Sequence, residues 1–338
     1  MSKVTIRDVA QSAGVGIGTV SRVLNNSPQV SQKTREIVLA TIAELGYRPN
    51  AVARQLPRKN TLRTIGVMTR PFLEYHSFSE RLRGVQRALH PHQESFEIAV
   101  YTTAGKRYYD DRFAFILENS MIEGLLVIDL DLTDEQKDLL RGLGIAFIGI
   151  NHFSADDWLC IGTNNVDGGY MATNHLLELG HRRIGYVGNH LIDAGGFSVS
   201  QDRYIGYQKA LREYQITPDT ALMRVGASGF EAAKAMAYDL LAQAPRPTAI
   251  FAMSDTQALA CIAAAKAHGL AVPDDLSVMG YDDLELSHQI GLSTVRQHLE
   301  LSGEIAMAHL IRMVEGIDAP DPALPPLAVI QRETTQKL

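Results

Sequence analysis

Residues 4–25, VTIRDVAQSAGVGIGTVSRVLN, decide how the chain begins to fold. Thr5, followed three positions later by Asp8, makes the [ST]-x-x-[DE] pattern that satisfies free amides at a helix start. Val9, Ala10 and Ala13 share one face at helical spacing, and Gly14 ends the helix. After the turn, Val15, Val20 and Val23 point back to the first helix, which leaves Ile17, Gly18, Ser21, Arg22 and Asn25 outward. This is helix-turn-helix geometry, whose second helix lies in a DNA major groove. A third helix follows, capped by Ser31, with Ile37, Ala40, Ile42 and Leu45 as its apolar side and Gly46 at its end. The glycines at 14, 16 and 18 do not make a dinucleotide loop. The third falls one place early for G-x-G-x-x-G, and the preceding segment reads as helix rather than strand.

Charge separates this segment from the rest. Residues 1–63 hold ten Lys and Arg against three Asp and Glu, whereas the 338-residue chain holds 32 against 38, so the remainder is acidic. A basic face attracts phosphate and releases counterions, while an acidic body stays off the duplex. The length allows two or three domains with ample core. The N-terminus has no apolar leader pattern, and no run approaches the ~18 apolar residues of a membrane span, so a cytoplasmic protein without membrane partners is expected. Cys160 and Cys261 are isolated, with no metal-like spacing. No cofactor and no metal site are expected.

From residue 64, short apolar runs ending in polar residues (TIGVMT, FEIAVYT, GLLVIDL, IAFIGIN, RIGYVGN, TAIFAM, LSVMGYD) alternate with helical patterns at 81–90, 107–119, 166–179, 201–214, 229–243 and 255–268. That alternation predicts parallel sheets covered by helices, and more than a dozen elements predict two α/β lobes. Ligands in such sheets bind beyond the carboxyl ends of the strands. The motifs VTIRDVAQSAGV, TVSRVLN, VSQKTRE, ELGYRPN and NAVARQL, with VDGGYMATNHLLELGHRRIGYVG, PTAIFAMSD, LSVMGYDD and LSTVRQ in the body, stand in the order and spacing of the lac/gal repressor (LacI/GalR) family. The chain resembles that family over nearly its full length.

The resemblance implies an all-α helix-turn-helix headpiece at 1–48, a hinge helix at 49–60, and a periplasmic-binding-protein-like core at 61–338. The DNA-proximal lobe would span about 61–162 and 293–325, the distal lobe about 163–292 and 326–338. DNA contacts are expected from Thr5, Ile17, Gly18, Thr19, Ser21, Arg22, Asn25, Ser31 and Thr34. The hinge residues Asn50, Ala53 and Leu56 join them, Leu56 as a wedge into the central base step. Arg22 suits bidentate contact to guanine and Ile17 a thymine methyl, while Gly18 admits close backbone approach. Two departures from the family stand out. Neither Ile17 nor Gly18 can hydrogen-bond a base through its side chain, and Gly16 replaces the usual serine cap.

For the effector, the resemblance points to Arg203, whose planar fork suits paired oxygens, and to Asp282 at a strand end. Asp255 serves either as a ligand acceptor or in capping the helix that follows it. Asn151 ends the run IAFIGIN and faces the same cleft, while Phe72 and Phe78 are expected on one wall. Ala227 falls where family members often place an aromatic platform. A fork of donors facing carboxylates suits vicinal hydroxyls. The expectation is therefore a homodimeric repressor released from a palindromic operator by a neutral mono- or disaccharide. A purine or other corepressor is the alternative, and an extracytoplasmic sugar-binding protein a remote one. Enzyme activity is not expected, because no HExxH, Walker-type loop or GxSxG occurs.

Overall fold

The computed structural model describes residues 5–24, 29–45, 62–70, 76–103, 106–119, 121–151, 158–191 and 199–338. Asn25, Asn50, Ala53, Leu56 and Phe72, together with the expected hinge helix, lie outside them. The chain divides into an N-terminal three-helix unit and a larger core beginning at Leu62.

The N-terminal unit consists of α1 (Ile6–Ser12), α2 (Ile17–Leu24) and α3 (Gln32–Leu45). The Thr5 amide and hydroxyl both donate to Asp8 Oδ2, at 2.7 and 2.8 Å. These bonds hold the Asp8 carboxyl below its usual range. Gly14 takes φ 64°, a left-handed turn that a side chain would strain. Val9, Ala10, Val20, Val23 and Val38 form the small core, with Val15, Ile42 and Leu45 packed on it. The register of α3 therefore differs from the expected one, since Val38 faces inward while Ile37 and Ala40 are exposed. The run Ile37-Val38-Leu39-Ala40 leaves the helical phase open. The spacing Val38, Ile42, Leu45, with Thr41 also buried, settles it.

The core has two lobes built alike. In the first, β1 (Arg63–Thr69), β2 (Phe96–Thr102), β3 (Ile122–Ile128), β4 (Ala146–Ile150) and β5 (Cys160–Ile161) form a parallel sheet in the order β2-β1-β3-β4-β5. Helices α4 (His76–Leu89), α5 (Lys106–Asn119) and α6 (Asp134–Leu143) connect these strands. In the second, α7 (Asn165–Glu178) leads into β6 (Ile184–Asn189), β7 (Met223–Gly226), β8 (Ala249–Ala252) and β9 (Ser277–Met279), parallel in the order β7-β6-β8-β9. Its connecting helices are α8 (Val199–Glu213), α9 (Phe230–Leu241) and α10 (Asp255–Ala267). After α11 (Glu285–Gln289), the antiparallel strands β10 (Thr294–Arg296) and β11 (Ala328–Ile330) flank α12 (Leu299–Glu315), which returns to pack on β3, β4 and α4. Strands covered on both faces need no alternation, which is why GLLVI reads as one apolar run.

In both sheets the strand order reverses beside the first strand, between β1 and β3 and between β6 and β8. Each reversal opens a crevice at the carboxyl ends. Both lobes also contain one very close helix crossing. A Cβ added at Gly84 of α4 would lie 1.8 Å from the Glu300 carbonyl oxygen of α12, and one at Gly303 would lie 1.9 Å from the Arg81 carbonyl oxygen. In the second lobe, a Cβ at Gly169 of α7 would lie 2.1 Å from the Arg203 carbonyl oxygen, and one at Gly206 of α8 equally close to that of Val166. Glycine alone permits such backbone approach.

Candidate functional site

Four of the six non-glycine residues with positive φ among the described residues stand just past strand ends: Asp129 (53°), Asn151 (63°), Asp282 (130°) and Asp283 (60°). Such backbone is sparsely populated and costs roughly 1–3 kcal/mol per residue, so the surrounding contacts must hold it. The contacts are polar and buried. Arg203 of α8 donates through Nε to Asn165 Oδ1 at 2.9 Å and through Nη1 to the Met253 carbonyl at 2.5 Å. Its guanidinium lies 3.7 Å from the centre of the Tyr281 ring, and Nη1 is 3.8 Å from Asp282 Oδ1. The same Asp282 oxygen accepts from Gln297 Nε2 at 2.5 Å. Burial pushes the Asp282 carboxyl up to about 7, against the opposing pull of Arg203.

The first lobe presents a matching group. Asp129, past β3, accepts from Asn151 Nδ2 at 2.5 Å and faces Arg81 Nη1 of α4 at 3.4 Å. Arg81 is buried on the helix face it shares with Phe78, Gly84 and Val85. Its charge adds to the pull that holds the Asp282 carboxyl down. Asp282 also borders a groove of about 610 Å³ together with Glu80, Arg83 and Leu299.

Arg203 and Asp282 are thus brought together, while Asn151 stands with Asp129 and Arg81 in the first lobe. Two expected contacts are corrected. Asp255 is 0% exposed, and its oxygens accept from the Leu284 amide, Ser287 Oγ and Thr294 Oγ1, so it braces the loop after β9 instead of facing the cleft. Ser254 caps α10 by accepting from the Gln257 amide. Phe78 packs with Ile65, Val67 and Ile128 inside the first lobe, because its helix face is the buried one. Ala227 is exposed, as is Phe230 at the start of α9. Sequence reasoning missed Arg81, Asp129, Asn165 and Gln297. Asp129 was readable, since GLLVID ends in aspartate just as LSVMGYD does.

On the N-terminal unit, α2 exposes Ile17, Gly18 and Arg22, with Thr19 and Ser21 half-buried. The Arg22 guanidinium lies 3.5 Å from where a Cβ at Gly18 would stand. Ser31 Oγ accepts from the Thr34 amide at 3.2 Å, capping α3. Among the described residues no helix is long and apolar enough to cross a membrane, and no group of three or more His, Cys, Asp or Glu is arranged to hold a metal.

A helix-turn-helix unit joined to a two-lobed binding core defines a ligand-responsive DNA-binding regulator, and comparison with known proteins agrees. Residues 5–50 match bacterial regulatory proteins of the lacI family, and residues 173–335 match the periplasmic binding protein-like domain. The chain is 33% identical over 321 residues, 93% of each chain, to the HTH-type transcriptional repressor PurR of Vibrio atlanticus. It is 34% identical to the ribose operon repressor of Haemophilus influenzae, over 92% of each. The lac repressor dimer bound to operator and the anti-inducer ONPF superposes with a TM-score of 0.68 at 30% identity, over 99% of this chain and all of that one. The chain belongs to the lacI family of transcriptional repressors.

Proposed function

We propose that this repressor binds a palindromic operator as a homodimer and is released from it by a small sugar held between the two lobes. The supporting observation is the pairing of an arginine with a carboxylate in each lobe, Arg81 with Asp129 and Arg203 with Asp282, with Asn151 and Gln297 beside them. A sugar hydroxyl both donates and accepts, so a ring of hydroxyls uses donors and acceptors that alternate in this way. Residues 49–60 serve as the hinge, with Leu56 opening the central base step. Induction requires the sugar to prefer the lobe arrangement that separates the hinges, and linkage then makes operator DNA weaken sugar binding by the same factor.

Calorimetry of the full chain against sugars and purines, with and without operator, tests this reading. A sugar should bind, and more weakly on DNA; a sugar that tightens on DNA would overturn induction. The 33% identity to PurR supports a second reading, a purine corepressor. That reading needs hypoxanthine or guanine to bind, and Ala227 offers no flat partner at the family's usual platform. On the DNA side, Arg22→Ala should lose roughly 1–3 kcal/mol at the operator and relax preference at one base pair. Unchanged discrimination between operator and scrambled duplex would remove Arg22 from direct readout.

A further inference from the structure

Arg81 and Arg203 occupy corresponding places in the two lobes, yet their surroundings differ. Arg203 has two good hydrogen bonds, a ring face and a carboxylate around it. Among the described residues, Arg81, 3% exposed, makes one long contact to Asp129, and its buried Nε has no hydrogen-bond partner. A guanidinium does not lose its proton in a protein, so this is a buried permanent cation with a free edge. An unmade hydrogen bond of a buried donor costs about 1–3 kcal/mol, more for a charged one. At the end of β1 on the same sheet, the buried Thr69 hydroxyl also has no partner among the described residues.

Charge sets the kind of partner. Arg81 and Arg203 are joined by Arg70, which donates to the Asp129 carbonyl at 3.2 Å. The carboxylates paired with the two buried arginines are Asp129 and Asp282, and burial pushes the second up. Asp283 is taken up by Arg296 and Arg332, both at 2.6 Å. Around Asp129, two arginines, Arg81 and Arg70, meet one carboxylate, so positive charge is in excess there. The excess suits a monoanion better than a phosphate monoester, which carries about −1.5 to −2 at neutral pH.

We infer that the effector carries a carboxylate, received by the free Nε edge of Arg81, so that the ligand is a sugar acid and not a neutral sugar. This rests on the sugar reading above and replaces the neutral ligand expected from the sequence, where Arg81 had no assigned role. Arg203 and Asp282 then hold the hydroxyls, while Arg81 decides between acid and neutral sugar.

The test titrates the full chain with matched pairs: glucose with gluconate, glucose with glucuronate, and galactose with galacturonate. Glucose 6-phosphate and hypoxanthine complete the panel. A sugar acid should bind at least about 10-fold more tightly than its neutral partner, as a charge-assisted bond of roughly 1.5–3 kcal/mol implies. Arg81→Leu should abolish that preference. Arg81→Lys, which keeps the charge without the fork, should weaken it and serves if the leucine variant fails to fold. Preference for the neutral sugar or the phosphate ester, failure of every acid to bind, or acid binding unchanged in both variants would overturn the inference. Neutral sugar binding alone leaves the sugar reading standing, whereas hypoxanthine binding without any sugar removes that reading as well.

Discussion

The two lobes solve one problem twice, and the second solution is more complete. Each sets an arginine on a helix locked by paired glycines and aims it at an aspartate held at positive φ past a strand end. In the second lobe Arg203 is saturated by Asn165, Met253, Tyr281 and Asp282. In the first, Arg81 has a 3.4 Å contact to Asp129 as its one polar bond among the described residues. Buried charges are ordinarily paired and hydrogen-bonded; Arg203 meets that condition without a ligand, whereas the Arg81 Nε has no partner among the described residues.

The largest test of that contrast is stability. Arg203→Leu should cost roughly 3–5 kcal/mol in urea unfolding of the core, because it removes the buried bonds to Asn165 and the Met253 carbonyl together with the cation facing Asp282. Arg81→Leu should cost about 1–3 kcal/mol, since Asp129 keeps its bond from Asn151. Equal losses would break the contrast. Next come the crossings, where the lobes should agree: Gly84→Ala and Gly206→Ala should each cost about 1–3 kcal/mol by overpacking. A large cost at one and none at the other would show that the lobes are not locked alike. The last test is a pH dependence at Asp282. The folded Asp282 carboxyl titrates at about 7, above its unfolded value, so the folded state binds an extra proton between about pH 4 and 7. Stability should therefore fall as pH rises through that window, and the fall should be shallower in Asp282→Asn. Parallel melting profiles for the two proteins across the window would remove Asp282 as its source.

Much of this was legible beforehand. The apolar runs located β1, β3, β4, β6 and β8, and the Thr5–Asp8 spacing located the start of α1. Strand ends also pointed to Asn151 and Asp282. The short strands β5 and β7 were missed, because two to four residues carry no periodicity. Arg81 was missed for a different reason. A lone charge in FSERLRGV looks solvated until the helix phase is fixed, and only then do Phe78 and Val85 place it on the inner face. Asp255 was left open between two roles because Ser254 and Asp255 are adjacent, and only the packing shows that the serine caps while the aspartate braces.

The glycine crossings bear on how freely this sequence can drift. Leucines and isoleucines in the two cores exchange for one another at less than about 1.5 kcal/mol when volume is kept. No exchange of that kind exists for Gly84, Gly169, Gly206 or Gly303, where the smallest added carbon meets a backbone oxygen at 1.8 to 2.1 Å. In a saturation library these four positions would tolerate almost nothing, and the arginines they position could change only as far as those helices let them. Diversity in what this scaffold binds must then come from the side chains borne by the helices, not from the spacing between them.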